Sequence, residues 1–388
     1  MGHGDGWFRR IVLGAVLLAV AGCATPETQR VGVDDASLAA EKRKQLELAA
    51  SEYRAEQNRL SDVAIRVRAA AAPFCGENSS RLLLMGVSSA ADARKILRTR
   101  DEADAFIAVY HLVNGNSPQI THVAPGSPAA LAGLQEGDVL TGINGWTVPD
   151  GPNAAGEALA KLREIGKQNI EQFDVKVRRA GGELVLPVRP VPVCGFPVSL
   201  QRSQVLNAFA DGRRVMITQR MVEFTRSDDE LAIVVGHELA HDFMGHLDKQ
   251  RRNAVLGGIG GFLLDVVLAA GGVNTGGTFG DIGSRAGATA FSQDFEAEAD
   301  YAGLYAAARA GFNVKVAPDF WRRMGTVDPK SITYATTHPT TAYRALALEK
   351  IVTEIEDKEA KGLPLEPETK KPSPPAAPAE TPEPRQGD

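Results

Sequence analysis

The chain has 388 residues, of which 44% are hydrophobic and 23% are charged, and its formal net charge is −5. This length and apolar content suffice for one large core or two moderate ones, and we expect two domains. The slightly negative net charge shows no excess of the basic residues by which a protein binds nucleic acid, so we expect no nucleic-acid partner. Three cysteines are too few for a disulfide scaffold, and each has to be interpreted separately.

The first 22 residues have the features of an export signal. Arg9 and Arg10 precede an apolar run, Ile11 to Ala21, that is short for a membrane span but suits a signal peptide. The run ends in Val-Ala-Gly-Cys, which resembles a bacterial lipobox. The resemblance implies cleavage after residue 22, lipidation of Cys23 and a short tether at 23–34. The alternatives are an ordinary signal peptide cleaved nearby and a short anchor that is retained.

A lipid on Cys23 would hold the mature protein in the cell envelope, facing the periplasm, with its acyl chains in a membrane. No aspartate follows Cys23. By resemblance to sorted lipoproteins, this favours the outer membrane. The compartment would be oxidising.

The segment 35–75 is predicted to be helical. Residues 35–72 contain no Gly or Pro and place Leu, Val and Ile among Glu, Lys, Arg and Ala, which indicates one long helix or two. Clean heptads are missing, so we expect packing on the catalytic core and not a coiled coil. Cys75 and Cys194 each precede a glycine and bracket a module. In an oxidising compartment we predict that they form a disulfide, with two buried free thiols as the alternative.

The module at 76–195 contains a specific run of turn and cap signals. Ser127 is placed to cap a short helix, Pro128 fits its first position, and Asn144-Gly145 suits a type I′ turn. The run from 120 to 145 resembles the PDZ domains of bacterial envelope proteases. The resemblance implies that an extended peptide binds at a sheet edge. A PDZ-like spacer that shields the active site without binding peptide is the alternative.

The expected peptide groove lies between a strand at 106–110 and a helix at 153–165. The loop that would bind a terminal carboxylate is either 105–109, with Ala108 at the usual glycine position, or 84–87, with Gly86 there. Both assignments stay open, and with them the recognition of C-termini.

The pentad His237-Glu238-Leu239-Ala240-His241 is the strongest chemical signal. Residues four apart lie on one face of a helix, so the two imidazoles can bind one metal with Glu238 beside them. Ser227, with a glutamate three residues later, predicts where the helix begins. The pentad is typical of zinc hydrolases, and a buried helix with two satisfied histidines is the alternative. His246 lies off the metal face and is interpreted as structural.

A second acidic helix is predicted near residues 295–300. Glu296 and Asp300 are four apart and share a face, whereas Glu298 points elsewhere. With the pentad, this order resembles the HtpX and CAAX prenyl protease type of zinc metallopeptidase, an HExxH gluzincin, over residues 196–356. The resemblance implies one zinc ion per chain, held by the two histidines and Glu296, with Asp300 accepting the free N–H of a ligand histidine.

The same resemblance implies three further roles. His338, in a His-Pro motif, would lie near the metal and cap the open position or help to bind the transition state. Arg344, six residues later, would support the oxyanion or the zinc shell. A strand at Val215 to Thr218 would form a sheet edge on which an extended substrate lies.

Two segments remain. The apolar, glycine-rich stretch from Ala254 to Val273 is predicted to be a hydrophobic helix near the cleft or a lid, with membrane contact as the alternative. From about Asp357 the Pro-, Glu- and Lys-rich composition predicts a disordered tail, 357–388.

The predicted fold class is α+β: a mostly helical zincin-type metallopeptidase domain with a small edge sheet, and an inserted PDZ domain. The predicted function is zinc-dependent cleavage of unfolded or envelope proteins, with Glu238 as the general base and the PDZ groove for substrate recognition or regulation. The competing class is a PDZ-based binding or chaperone-like protein with a latent metal site.

Overall fold

The computed structural model describes residues 28–82, 85–113, 115–168, 170–270, 275–289, 292–327 and 342–369. The predicted signal peptide, Cys23 and His338 lie outside these residues. The helices of the described part are α1 (Asp35–Ala70), α2 (Ala90–Ile96), α3 (Arg100–Val109), α4 (Pro128–Leu131), α5 (Ala154–Gly166), α6 (Gln219–Phe224), α7 (Asp228–Phe243), α8 (His246–Ala270), α9 (Thr278–Thr289), α10 (Ser292–Arg309), α11 (Ala317–Val327) and α12 (Ala342–Ala360).

The strands fall into three sheets. They are β1 (Ser79–Leu82), β2 (Met85–Ser88), β3 (Gln119–Val123), β4 (Val139–Ile143), β5 (Trp146–Thr147), β6 (Phe173–Arg179), β7 (Gly182–Val188), β8 (Val191–Cys194), β9 (Val198–Gln201), β10 (Ala208–Ala210) and β11 (Val215–Thr218). The largest sheet has the order β2-β3-β4-β6-β7, with β5 pairing with β4. The other two sheets are β1-β8 and β10-β11-β9.

The C-terminal half of α1 belongs to the main hydrophobic core. Leu60, Val63 and Val67 are buried in the same cluster as the apolar residues of α7. Arg59 donates to Asp228 at the start of α7 at 2.8 Å, and the buried Arg68 donates to the carbonyl of Cys194 at 3.1 Å. These contacts attach the helix to α7 and to the end of β8.

The sheet of the 76–195 module encloses a core of its own. Ile120, Leu140, Ile143, Val175 and Val177 are buried in it. The predicted turn follows β4: Asn144 and Gly145 both have positive φ, 47° and 79°, as a type I′ turn requires. Ser127 Oγ accepts the N–H of Ala130 at 3.1 Å and so caps α4. The helix cap at Ser127 and the turn at Asn144-Gly145 therefore form as the sequence predicts.

The prediction of a strand at 106–110 is wrong, because these residues end α3. Thr99 and Glu102 form a reciprocal capping box that starts this helix at Arg100. The strands that α5 contacts are instead β1, β2 and β4, and β2 contains Gly86. The helix predicted at 153–165 is α5.

The module begins and ends at paired strands. β1 and β8 are antiparallel, with Ser79 opposite Cys194. The structure joins Cys75 to Cys194 by a disulfide with a Cα–Cα distance of 5.4 Å.

β11 is not the edge strand that the sequence predicted. It lies in the centre of its sheet, antiparallel to β10 and parallel to β9. The sequence could not show this, because β9 precedes β11 by more than ten residues and pairs with it through tertiary folding alone. The outer strand of this sheet that contacts α7 is β10.

Helices α8 and α9 pack closely against each other. A Cβ added to Gly261 would lie 1.9 Å from the carbonyl oxygen of Phe279, so only glycine allows this approach. Asp265 accepts the N–H groups of Phe279 and Gly280 at 3.2 and 2.8 Å, which caps the start of α9. The Thr275 hydroxyl also donates to Asp265, and these contacts hold the pKa of Asp265 below its ordinary value.

The apolar face of α8 is exposed, which differs from the predicted packing near the cleft. Its large exposed side chains are Val255, Leu256, Ile259, Phe262, Leu263, Leu264, Val266 and Val267. Among the described residues, one helix, His246–Ala269, has the length and apolar composition that a membrane span needs, and these two properties alone are weak evidence of one.

The predicted tail boundary at 357 is wrong for its first residues. α12 continues to Ala360, because Ile351, Val352 and Ile355 are buried against the core and carry the helix forward. The chain is described as far as residue 369, and the carbonyl of Leu365 accepts from Arg309 at 3.2 Å.

Candidate metal centre

The site is built on α7, which is buried along most of its length. Ser227 Oγ accepts the N–H of Glu230 at 3.2 Å, so the helix starts where the sequence predicts. His237 and Glu238 are 1% and 2% exposed, and His241 is 8% exposed. Such burial of three ionisable groups on one helix is costly unless they are paired or bind an ion.

The partner helix α10 crosses α7 at two glycines. A Cβ on Gly303 would lie 2.7 Å from the carbonyl carbon of Gly236 and 2.7 Å from the amide nitrogen of His237. The two backbones are therefore in contact immediately beside the first histidine. This approach brings Glu296 and Asp300 of α10 up to the pentad.

Three side chains converge. The Nε2 atoms of His237 and His241 are 3.2 Å apart. Glu296 Oε2 lies 3.4 Å from His237 Nε2, and Glu296 Oε1 lies 3.3 Å from His241 Nε2. Among the described residues, the side chains placed to hold a metal ion are those of His237, His241 and Glu296. Zinc bonds of about 2.0–2.2 Å in a tetrahedron place neighbouring donors about 3.3–3.6 Å apart. The donor set and its spacing therefore fit zinc.

Asp300 and Arg344 lie behind His237. Asp300 Oδ1 is 2.9 Å from His237 Nδ1, and Arg344 donates to both Asp300 oxygens at 2.8 and 2.6 Å. The Arg344 guanidinium, 5% exposed, also stacks 3.5 Å from the ring centroid of Trp321. Trp321 was not singled out by the sequence, since nothing in its surroundings marks it. Arg344 Nη2 also lies 3.3 Å from His237 Nδ1, so Arg344 contacts His237 directly as well as through Asp300.

Burial has the largest single effect on the pKa of Asp300 and on that of His237, but other contacts together outweigh it in both. Burial alone would raise the pKa of Asp300, yet the Arg344 charge and the hydrogen bond from His237 hold it below its ordinary value. Burial and Arg344 would lower the pKa of His237, but its hydrogen bonds to Asp300 and Glu296 outweigh them and raise it to about 9. Since a metal-bound imidazole carries no proton on the ligating nitrogen, metal competes with a proton at His237.

His246 contacts the second histidine directly, which the sequence analysis missed. Its Nδ1 lies 3.0 Å from His241 Nδ1, and its Nε2 lies 2.9 Å from Glu298 Oε2. Burial lowers the pKa of both His241 and His246, the latter to about 4. Helical spacing alone places His246 and Glu298 off the metal face, so the sequence does not predict their contact. The sequence feature that points to it is that each residue lies close to a ligand along the chain.

Asp242, next to His241, connects the site helix to the small sheet. Its Oδ1 accepts the N–H of Gly212, in the β10–β11 turn, at 2.8 Å. Burial raises the pKa of Asp242 to about 7. This hydrogen bond holds the turn against the helix that carries the pentad.

Two cavities adjoin these elements. One, of about 310 Å³, is lined by residues that include Glu296, Asp300, Tyr343 and Arg344. The other, of about 780 Å³, is lined by residues of β1, β2 and α5 on one side and by Phe196, Pro197, Gly212 and Arg213 on the other. The second cavity therefore connects the β2–α5 side of the module with the turn that Asp242 holds.

A buried HExxH helix whose two histidines converge with a glutamate from a neighbouring helix defines a metallopeptidase-type centre. In agreement with this class, residues 188–352 match the model of peptidase family M48, and residues 119–174 match that of the PDZ domain. Residues 188–352 are therefore an M48 peptidase domain and residues 119–174 a PDZ domain. The predicted fold class is confirmed, and the predicted metallopeptidase type is confirmed at the level of family M48.

The curated relatives agree with this assignment. The chain is 31% identical over 205 residues to the beta-barrel assembly-enhancing protease of Escherichia coli O157:H7, which covers 46% of this chain and 41% of the relative. It is 29% identical over 163 residues to the mitochondrial metalloendopeptidase OMA1 of Schizosaccharomyces pombe, which covers 40% of this chain and 47% of the relative. The matches thus span less than half of these relatives' lengths.

A crystal structure of the HtrA3 PDZ domain bound to a phage-derived ligand is similar to 30% of this chain and 88% of that chain. Its sequence identity is 20% and its TM-score is 0.20. The PDZ assignment therefore depends on the family match and on the turn and cap geometry described above.

Proposed function

We propose that this chain is a zinc-dependent endopeptidase of the bacterial cell envelope that cleaves misfolded or partner proteins. The observation that supports this most directly is the convergence of two histidines and a glutamate: the two Nε2 atoms are 3.2 Å apart, and each lies 3.3 to 3.4 Å from a Glu296 oxygen, a donor set and spacing that suit zinc. The residues that would hold it are His237, His241 and Glu296. Zinc bound there supplies a Lewis acid that polarises a peptide carbonyl and acidifies a water molecule.

The residues of the chain perform the remaining tasks. Glu238, on α7 between the two histidines, accepts a proton from the attacking water and passes it to the departing amine. Asp300, charged and paired with Arg344, accepts the Nδ1–H of His237 and fixes its tautomer with Nε2 free to ligate. We propose that His338 caps the open position of the metal site or helps to bind the transition state.

An extended substrate would add to the sheet at β10. This strand is one of the two outer strands of the sheet β10-β11-β9, and the turn that follows it is held to α7 by Asp242. Sheet edges bind extended peptides through backbone hydrogen bonds, which a peptide of almost any sequence can make. Such a mode of binding suits a protease that acts on unfolded chains.

The PDZ domain would recruit or regulate substrates. The β2–α5 side borders the 780 Å³ cavity, whose opposite wall includes Gly212 in the β10–β11 turn. A peptide held beside β2 would therefore lie close to the edge strand of the peptidase domain.

The domain arrangement proposed from the sequence also stands as a proposal. Residues 35–75 belong to the peptidase domain of 196–356, and the PDZ domain of 76–195 is inserted between them. Pairing of β1 with β8 and the Cys75–Cys194 bond at the base of the module support it. Alkylation of the purified protein under denaturing, non-reducing conditions tests the disulfide, because two reactive thiols from this pair would contradict it.

The envelope location depends on Cys23. We propose that this residue is lipidated and anchors the protein in the outer membrane. Membrane fractionation of cells that express the wild type or Cys23→Ala tests this. The variant should lose its acyl modification and move to the soluble fraction, whereas an unchanged acylation pattern would contradict the proposal.

The decisive experiment for the enzyme is cleavage of casein by the purified full chain and by Glu238→Gln. Wild-type cleavage should stop on chelation and return with added zinc. The variant should be at least about 10²-fold slower while still binding zinc. Equal, zinc-independent behaviour of both proteins would contradict the proposal. Suppression of casein aggregation without cleavage would favour a PDZ-based binding protein.

A further inference from the structure

We propose that His246 and Glu298 form a relay that positions the metal ligand His241, in the way that Asp300 positions His237. The inference depends on the proposed zinc site, and it assigns functions to two residues outside the ligand set. Its basis is the chain of hydrogen bonds His241–His246–Glu298, with heavy-atom distances of 3.0 and 2.9 Å.

The chemistry of the three groups allows one arrangement of protons. His241 directs its Nε2 towards His237 Nε2 and Glu296, so a metal would be bound through Nε2 and the proton remains on Nδ1. His246 must then accept at its own Nδ1, which leaves its proton on Nε2. That N–H points at Glu298 Oε2, an acceptor. Every step in the chain is therefore a donor facing an acceptor.

The backbone between α7 and α8 makes the relay possible. Gly245, with φ of 66°, ends α7, and His246 begins α8. On a continuous helix, a residue five positions after His241 would lie well around the helix from it. The left-handed glycine turns the chain so that the His246 ring comes back beside His241.

The His246 ring is held on other sides as well. It is 1% exposed and stacks on Phe295, with ring centroids 4.8 Å apart and an angle of 21° between the planes. Phe295 directly precedes the ligand Glu296 on α10. A buried ring fixed by both helices and hydrogen-bonded at both nitrogens has little freedom to rotate. It therefore holds His241 in one orientation.

The two zinc histidines would thus have unequal supports. Asp300 contacts His237 directly and its side chain is 4% exposed, whereas Glu298 acts through an imidazole and its side chain is 40% exposed. Lys249 Nζ also lies 3.5 Å from Glu298 Oε2. The exposed end of this relay can be substituted without opening the core, which makes the idea testable.

The test is zinc affinity of the purified full chain, measured by competition with a chromophoric chelator. His246→Ala and Glu298→Ala should each weaken zinc binding about 10–100-fold, the usual effect of removing a partner that orients a ligand histidine. Glu298→Gln should stay closer to wild type, because its amide oxygen still accepts the His246 N–H. Glu359→Ala, the same substitution at an exposed position near the end of α12, is the matched control and should bind zinc like wild type.

Two further readouts separate positioning from a structural role. The visible spectrum of the cobalt-loaded protein should change in His246→Ala and Glu298→Ala and remain unchanged in Glu359→Ala, since it reports the ligand geometry. The thermal midpoint of chelator-treated Glu298→Ala should match that of wild type. If His246→Ala does not fold, the Glu298 series decides the question.

The outcomes distinguish this proposal from the previous one. Wild-type zinc affinity in both Ala variants would overturn the relay while leaving the zinc site intact. Equal weakening in Glu298→Gln and Glu298→Ala, with lower midpoints, would overturn it in favour of a structural contact. Absence of zinc binding by the wild type would instead overturn the proposed function.

Discussion

Two pairs of helices in this protein are joined in the same way and have opposite surroundings. α7 and α10 touch through Gly236 and Gly303, and α8 and α9 touch through Gly261 and the backbone of Phe279. In each pair a single Cβ would force the backbones apart. Yet α7 is buried in the main core, whereas eight large apolar side chains of α8 are exposed.

The difference comes from what surrounds each pair. α7 also contacts α11 and the strands β10 and β11, and its apolar residues share one cluster with α1. α8 packs mainly against α9. Close helix contact is therefore a local matter of small residues, while burial requires elements from other parts of the chain. The α8–α9 pair fixes one carboxylate, Asp265, whereas the α7–α10 pair brings ionisable groups of both helices together, and it is the pair that carries the candidate site.

The largest expected difference between the pairs concerns leucine truncation. Leu231 of α7 is fully buried, and Leu256 of α8 is 66% exposed. Leu231→Ala should lower the free energy of unfolding by about 2–5 kcal/mol. Leu256→Ala should change it by no more than about 0.5 kcal/mol. Urea denaturation of both variants measures this, and equal losses would show that a partner within the protein covers α8.

The contact between the helices can be broken at Gly303. Gly303→Ala should cost about 1–3 kcal/mol of stability and weaken zinc binding, because the new Cβ would meet the backbone at His237. Gly156→Ala in α5 is the matched control, since no atom lies within 4 Å of its added Cβ. The control should be neutral or slightly stabilising. Thermal unfolding and chelator competition check both, and a neutral Gly303→Ala would contradict the close contact.

A smaller effect on zinc binding is expected at Arg344, which extends from α12 and donates to Asp300 of α10. Arg344→Lys keeps the charge but cannot make the two-pronged contact with Asp300, so zinc affinity should fall about tenfold. Chelator competition measures a role of Arg344 in zinc binding, and steady-state kinetics on a peptide substrate measures a role in stabilising the oxyanion. Normal zinc affinity together with a large fall in kcat would instead place Arg344 at the oxyanion.

The smallest effect lies at the margin of the core, where Glu56 of α1 faces α6. Burial, with repulsion from Glu223, raises the pKa of Glu56 to about 7 from an ordinary value of 4.5. Its contribution to stability is therefore complete below pH 4.5 and is lost as pH rises through 7. Glu56→Gln should gain stability relative to wild type at pH 8 and not at pH 4. An identical difference at both values would contradict the shift.

Much of the site could be predicted because it depends on local geometry. The spacing of His237 and His241, the cap at Ser227 and the four-residue step from Glu296 to Asp300 are properties of a single helix, and a helix places such residues on one face wherever it packs. The turn at Asn144-Gly145 is local in the same sense. The resemblance to known peptidases then related the two helices to each other.

The remainder depended on contacts between distant segments. That β11 is a central strand, that 106–110 continues a helix and that α8 leaves its apolar face exposed all follow from which elements happen to pack together. The relay from His241 through His246 to Glu298 is the clearest case, since it needs a left-handed glycine, a helix junction and a residue 52 positions away. Sequence determined which side chains each helix presents, and the tertiary structure decided which of them meet, because contact between helices is set by packing and not by spacing along one of them.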